Sequence, residues 1–359
     1  MRRMAGGALW RLLLLLVLAA AGVAAWQWVG YQRFADTPMA GAQADASLVV
    51  TRGDSLDKVL RKLEEQGIAT GERLHWQVLA RQTGAAGKLQ VGEYALAQAD
   101  SPRALLLAMR DGRVVRRMFT IVEGWNMREL RAALAKAPLL EQEAAGLNDE
   151  ALMKALGHAG QHPEGRFLPE TYAWVRGDSD LDILRRAHAD MDKALNEAWA
   201  SRIEGLPLKD KEEALVLASI VEKETGIAAE RAQIAGVFIR RLKIGMRLQT
   251  DPTVIYGMGA AYQGNIRRSD LTTDTPYNTY TRSGLTPTPI AMPGKAALRA
   301  ATRPAEGEAL YFVAVGDGSG RHVFSRNLVE HNAAVRQYVQ RYRAQRQAER
   351  EPPASAPTP

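Results

Sequence analysis

Asp210-Lys-Glu-Glu213 opens a segment that continues Ala214-Leu-Val-Leu-Ala-Ser-Ile-Val221 and closes on Glu222-Lys-Glu224-Thr225-Gly226. Asp210 and Glu213 have capping-box spacing, the next eight residues are apolar on nearly all sides, and Gly226 is a good C-terminal stop. The spacing predicts a buried helix that ends in acid. At 100° per residue, Glu224 shares a face with Leu217, Ile220 and Val221, whereas Glu222 falls on the face of Ala218 and Ser219. A carboxylate on the large apolar stripe is disfavoured as an anion by desolvation and by the partial negative charge at a helix C-terminus, and both raise its pKa. Such a group stays protonated near neutral pH and can donate to a leaving-group oxygen, as cleavage of a glycosidic bond requires. The alternative is a structural ion pair in which Lys223 or an arginine neutralises Glu224.

The next residues supply a setting for such an acid. A basic amphipathic helix with Ile234, Val237, Phe238 and Leu242 inward and Arg240, Arg241 and Lys243 outward leads into Arg247-Leu-Gln249-Thr250-Asp251-Pro-Thr-Val-Ile-Tyr256-Gly257. Tyr277-Asn278-Thr279-Tyr280-Thr-Arg282-Ser-Gly284 follows, then a Thr/Pro stretch to Gly294. Loops dense in Tyr, Asn, Thr, Gly and Pro present hydroxyl, amide and aromatic faces that suit sugar rings. Asp251 before Pro252 also reads as a helix cap with proline at the first helical position, and Tyr256 also reads as packing. His158 and His162, in a Gly/His/Pro-rich break from 157 to 169, read as a solvated loop and not as metal ligands.

These groups must be positioned by a chain of 359 residues, 46% hydrophobic and 24% charged, which is enough for two or three compact units. The absence of cysteine excludes disulfides, thiolate metal sites and cysteine nucleophiles. A net charge of +7 favours acidic partners. Arg2, Arg3 and Arg11 precede an uncharged stretch from Leu12 to Tyr31 with Trp26, Trp28 and Tyr31 at its far end. This predicts one membrane-spanning helix with a cytoplasmic N-terminus; a signal peptide cleaved near Val23-Ala24-Ala25 is the competing reading. Residues 1–33 are thus read as stub and anchor, and 34–46 as a linker. Leu48 to Thr51 as strand, Ser55 as helix cap, a second helix through Trp76 and a strand at Gly92 to Leu96 make a small α/β module over 47–117. A helical connecting region covers 118–205, a larger mixed catalytic domain 206–345, and a proline-rich disordered tail 346–359. The fold class expected is α+β.

Two resemblances extend this reading. The strand-Gly53-Asp54-Ser55-Leu56-helix start of the small module resembles the carbohydrate-binding LysM repeat, with a plain spacer domain as the alternative. Leu217-Ala-Ser-Ile-Val-Glu-Lys-Glu224-Thr, Arg247 to Gly257, Tyr277-Asn-Thr-Tyr280 and His322-Val-Phe-Ser-x4-Glu330-His331-Asn332 resemble the endolytic murein transglycosylase (YceG-like) family. Glu164-Gly-Arg-Phe-Leu-Pro-Glu170-Thr-Tyr172 is similar to that family's Glu-Gly-x-Leu-Phe-Pro-Asp-Thr-Tyr, with the order of Phe167 and Leu168 exchanged and Glu170 in place of aspartate.

The resemblance implies a lytic transglycosylase of the inner membrane, with its catalytic domain in the periplasm. It would cut the β-1,4 bond between N-acetylmuramic acid and N-acetylglucosamine in nascent peptidoglycan strands, leaving a 1,6-anhydromuramic end. By motif Glu224 is the catalytic acid, with Thr225 similar to the serine that follows it in other lytic transglycosylases. Thr225, Gln249, Thr250, Asp251, Tyr256, Tyr277, Asn278, Thr279, Tyr280 and Glu170 are expected to contact substrate. The family implies no cofactor, no metal, no nucleic acid, and work beside glycan-polymerising penicillin-binding proteins. A muramidase that uses water would need a second carboxylate, for which Asp251 or Glu222 are the candidates. A scaffold that grips glycan without cutting it is the non-enzyme alternative.

Overall fold

The computed structural model describes residues 5–43 and 45–348, which form a mixed α+β protein of two units. Arg2, Arg3 and the tail from Pro352 to Pro357 lie outside the described residues.

The N-terminal unit takes in the chain to Arg117 together with Ala173–Gly177. Helix α1 (Ala5–Asp36) contains a span, Trp10–Asp36, long and apolar enough to cross a membrane, and its side chains from Leu12 to Leu18 are exposed. Its last turns belong to the unit itself. Tyr31 and Ala35 are buried, and Asp36 pairs with Arg103 at 2.6 Å. The 34–46 segment, read above as a linker, is therefore partly packed: Met39 is buried, and the Met39 N–H donates to the Asp100 carbonyl at 2.7 Å. Then come β1 (Ser47–Val50), α2 (Leu56–Glu65), α3 (Arg73–Gln82), β2 (Gly92–Ala95) and α4 (Pro102–Asp111). β1 and β2 pair antiparallel, Leu48 opposite Tyr94, and Ser55 caps α2 by accepting from the Lys58 N–H. Trp76, Leu79, Leu63 and Leu105 fill the core between sheet and helices.

The C-terminal unit takes in Met118–Tyr172 and the chain from Asp178 onward. The chain passes between the units within β3 (Arg117–Thr120) and β4 (Thr171–Trp174). α5 (Met127–Leu134), α6 (Asp149–Ala155) and α7 (Asp180–Ala200) are each N-capped by a polar side chain, Asn126, Asn148 and Ser179. α8 (Lys211–Glu224) is the centre of this unit. Every residue from Ala214 to Val221 is buried, against Met191 and Leu195 of α7, Ile234 and Phe238 of α9 (Arg231–Lys243), and Ala297 and Leu298 of α12 (Lys295–Thr302). A helix apolar on all sides has only this solution, and truncating Leu217 to alanine would cost about 2–5 kcal/mol. The short helices α10 (Asp251–Met258) and α11 (Arg268–Thr272) lie in the loops between α9 and α12. A hairpin of β5 (Tyr311–Ala314) and β6 (His322–Ser325), with Phe312 opposite Phe324, and the long helix α13 (Leu328–Ala348) complete the unit.

Three local readings of the sequence are corrected. Asp210 does accept from the Glu213 N–H, but the Glu213 carboxylate bonds the Lys209 N–H, so the capping box is shifted by one residue on that side. α8 stops because Thr225 is extended (φ −148°), and not through a left-handed Gly226. Arg241 is buried, not outward: it lies seven residues after Ile234, which places it on the apolar stripe.

Candidate active site

Glu224 is the last residue of α8, where the helix emerges from the core, and the residue as a whole is half-buried. It accepts a hydrogen bond from the Thr250 hydroxyl. Among the described residues no lysine or arginine bonds it; Lys223 reaches the Gly124 carbonyl instead, at 3.1 Å. Desolvation pushes the Glu224 carboxyl up to about 7, with a smaller push from the charge of Asp251. The Thr250 bond and the charges of His322 and Arg241 pull the other way without offsetting the desolvation.

The other acid on this helix end has the opposite surroundings. Glu222 is 4% exposed at its side chain, accepts from the Gly294 N–H at 2.9 Å and pairs with Arg231 at 3.3 Å. Its carboxyl is also raised by desolvation, against which the Gly294 bond and Arg231 work. The structural ion pair considered above for Glu224 is the one that Glu222 makes.

Thr250 is the N-cap of α10, one residue earlier than the Asp-Pro dipeptide suggested, so the positive end of α10 lies beside Glu224 while the negative end of α8 carries it. Gln249, just before the cap, is exposed and holds φ +48°, a left-handed conformation that costs a non-glycine residue on the order of 1–3 kcal/mol. Its N–H donates to the Thr279 carbonyl, and the Thr279 hydroxyl accepts from the Thr250 N–H, both at 3.1 Å. Thr279 and Asn278 are buried. The Asn278 amide donates to the carbonyls of Asp270, Leu271 and Thr273 and accepts from the Tyr280 N–H, so its polar atoms are spent on shaping the loop. Tyr280 donates to the exposed Asp251 at 2.5 Å. Burial and then Asp251 raise the Tyr280 phenol. Tyr256 and Tyr277 meet edge to face at 5.0 Å, and Tyr277 bonds Thr288 at 2.9 Å. Thr225 is buried and its hydroxyl accepts from the Ile227 N–H, which shapes the turn after α8.

Tyr256 and Tyr277 touch each other and not Glu224, whereas Thr250 bonds Glu224 directly, Thr279 bonds Thr250, and Gln249, Asp251, Asn278 and Tyr280 connect to Glu224 through further bonds, with Thr225 beside it in sequence. Glu170 makes no such link: it is exposed and paired with Lys295 at 2.8 Å. Three residues went unread as site groups. Arg241 lies under Tyr311, its charge reaching Glu224, and the heptad spacing from Ile234 could have revealed it. The His322 ring and backbone N–H both bind Glu230, at 2.7 and 3.0 Å, a pairing across 92 residues with no local signal. Glu164 is buried beneath Tyr256.

One trio among the described residues has its ligand atoms within 4.8 Å of one another: His158, His188 and Asp192. His158 thus has a histidine and an acid near it in space, both from α7. The two rings stack at 3.7 Å with 21° between planes, so their lone pairs run side by side and do not converge, and His188 already contacts Gln161 and Asp192.

The YceG-like family profile matches residues 48–337. A relative named endolytic murein transglycosylase, from Bacillus subtilis, is 30% identical over 318 residues, covering 83% of this chain and 86% of that protein. Another of that name, from Streptococcus pneumoniae, is 31% identical over 184 residues, 49% of this chain and 32% of a longer protein. The crystal structure of a YceG-like protein from Listeria monocytogenes superposes with a TM-score of 0.50 at 26% identity, covering 80% of this chain and 98% of that one.

Proposed function

The chain belongs to the YceG-like family and is a peptidoglycan lytic transglycosylase; from that premise we propose that Glu224 cuts the N-acetylmuramic acid to N-acetylglucosamine β-1,4 bond within nascent strands. The observation that carries the residue assignment is a desolvated carboxyl on a half-buried residue, raised to about 7, with a hydroxyl partner and no bonded base among the described residues. In the protonated state Glu224 donates to the glycosidic oxygen as the bond to the muramic C1 breaks. The resulting carboxylate removes the proton of the muramic 6-hydroxyl, whose oxygen closes on C1. One carboxyl is restored, no water is consumed, and the product is a 1,6-anhydro ring. The negative end of α8 favours the acid before cleavage, and the cap of α10 favours the carboxylate after it.

Tyr256, Tyr277 and the exposed Gln249 are assigned to sugar contact, Thr250 to Glu224 itself, and Asn278 and Thr279 to holding the loop. In the N-terminal module the β-α-α-β order supports the LysM-like reading. So does a cleft of about 400 Å³ between the β1–α2 turn, at Asp54 to Leu56, and the α3–β2 loop, at Ala85 to Leu89. The span in α1 supports an anchor in the inner membrane with the small module after it and the C-terminal unit periplasmic. Protease added to spheroplasts should then digest the C-terminal unit; full protection would place it in the cytoplasm.

Mass spectrometry of peptidoglycan digested by the protein tests the reaction. Anhydromuramic ends, one water lighter than hydrolytic ends, are expected, and they should vanish in Glu224→Gln. Reducing muramic ends would replace this reading with a muramidase that uses Asp251, and binding without cleavage would leave a scaffold.

A further inference from the structure

Glu164 has no part in the chemistry above, yet it is a 2% exposed residue whose carboxyl is held by donors from two elements. Both oxygens accept from the N–H of Met127, the first residue of α5, at 3.1 Å, and Oε2 accepts from the Tyr256 hydroxyl, also at 3.1 Å. The backbone just after Glu164 packs closely on Pro289. Gly165 holds φ +78°, and a Cβ built there would lie 2.6 Å from Pro289 Cβ. Tyr256 is on α10, six residues from the Thr250 that bonds Glu224, a separation of about 9 Å along the axis. The Thr250 end is itself pinned, since Thr253 Oγ1 donates to the Thr250 carbonyl at 2.8 Å and lies 2.9 Å from the Thr279 hydroxyl. α10 is thus a short bar held at one end by Glu164 and meeting Glu224 at the other.

We infer that Glu164 is a positioning residue for the acid: by holding the Tyr256 phenol it fixes α10, and through α10 the place where the Thr250 hydroxyl meets the Glu224 carboxyl. This rests on the reading of Glu224 as the proton donor. A carboxyl suits the post because it accepts from the α5 N–H and the phenol at once, which no apolar side chain of that size does.

The groups that set the titration of Glu224 are Thr250, Asp251, His322 and Arg241. Those that face Glu164 are Tyr256, the Met127 and Gly165 N–H groups and the charge of Asp149, while the Glu164 N–H donates to His162. Loosening α10 weakens two contributions at Glu224, the Thr250 bond that holds the carboxyl down and the smaller push upward from the charge of Asp251, and the larger of the two decides the sign. The Glu224 midpoint therefore moves to higher pH, and the alkaline limb of turnover, where the acid is lost, moves with it.

The experiment uses the full chain in detergent with Tyr256→Phe, Thr250→Val, both together, and Glu164→Gln. Tyr256→Phe keeps the ring and removes the bond. It should lower kcat about three- to tenfold and shift the alkaline limb upward, as Thr250→Val does, with no further shift in the double variant. Glu164→Gln keeps an acceptor for Met127 and a partner for the phenol, and should move the Glu224 midpoint less than Tyr256→Phe does. The midpoint is also read without turnover, by carbon-13 NMR of the glutamate carboxyls, with Glu224 identified by its loss in Glu224→Gln. A Glu224 midpoint that moves in Thr250→Val and stays put in Tyr256→Phe overturns the inference, as does one that moves in neither. Because that readout needs no cleavage, failure of the transglycosylase reading would be seen separately, as absent anhydro ends from the wild type.

Discussion

Glu222 and Glu224 stand two residues apart on the last turn of α8, and the protein treats them in opposite ways. Glu222 turns toward Gly294 and Arg231, is almost wholly buried and has its charge met. Glu224 turns toward the cap of α10, meets a hydroxyl, and keeps a carboxyl near its midpoint at neutral pH. Both are desolvated, so burial alone does not separate the acid proposed to act from its neighbour. What separates them is the partner: a cation commits a carboxyl to one charge state, whereas a hydroxyl leaves both states available for proton transfer.

The largest effect expected is on rate. Glu224→Gln keeps size and removes the transferable proton, so cleavage should fall by roughly 10²–10⁴-fold or more with the fold intact. In the wild type, activity should fall as pH rises through about 7, the range in which the acid is lost. A Glu224→Gln protein that still cleaves would erase the contrast between the two acids.

The next effect is on stability and belongs to Glu222. Glu222→Ala leaves the Gly294 N–H without its acceptor and Arg231 with Glu123 alone, 3.6 Å away. Breaking a buried pair from one side typically costs 3–5 kcal/mol; the low end, about 3, is expected because desolvation already outweighs part of the pairing. Urea unfolding measures it, and an unchanged midpoint would show that the pair contributes nothing.

Stability should also separate the two in its pH dependence. A carboxyl whose folded pKa lies above its unfolded value binds its proton more tightly when folded. The stability that Glu224 contributes is therefore fullest below about 4.5 and is lost as pH rises through about 7. Glu224→Gln removes that loss, so the variant should match the wild type near pH 4.5 and exceed it at pH 8, by an upper bound of roughly 3 kcal/mol. Melting curves at the two pH values decide it: a variant less stable than wild type at pH 8 would mean that Glu224 holds a structural pair after all.

Much of this contrast was legible in the sequence, though not its partners. Helical periodicity located α8, its burial and the acidic end, and the Tyr-Asn-Thr cluster marked the loops around Glu224, because these are local properties of spacing and composition. The pairing of Glu222 with Arg231 is set by how α9 docks on α8, and that of His322 with Glu230 spans 92 residues. Neither leaves a periodic trace. Asn278 reads as a sugar ligand by type, yet its amide is used up by three carbonyls of its own loop, a fact that only coordinates supply. Arg241 is different. The spacing from Ile234 did place it on the buried stripe, and the habit of sending arginine outward obscured that.

Glu170 sharpens the comparison from the other side and carries the smallest effect. It is a third acid within a family-like motif, but its side chain and that of Lys295 are 50% and 60% exposed, and their pair spans 2.8 Å. Exposed pairs of this kind gain little, since water screens the charges and ordering two long side chains offsets most of the attraction. Glu170→Gln should therefore leave cleavage within about twofold and the melting temperature within roughly 2 °C, with any difference gone at 1 M salt. The comparison of Glu222 with Glu224 holds that an acid acts here only when it is desolvated and uncommitted, and Glu170 is neither desolvated nor uncommitted. A tenfold loss of cleavage in Glu170→Gln, with KM raised and stability unchanged, would place it on the glycan and show that an exposed, paired carboxylate can also belong to the site.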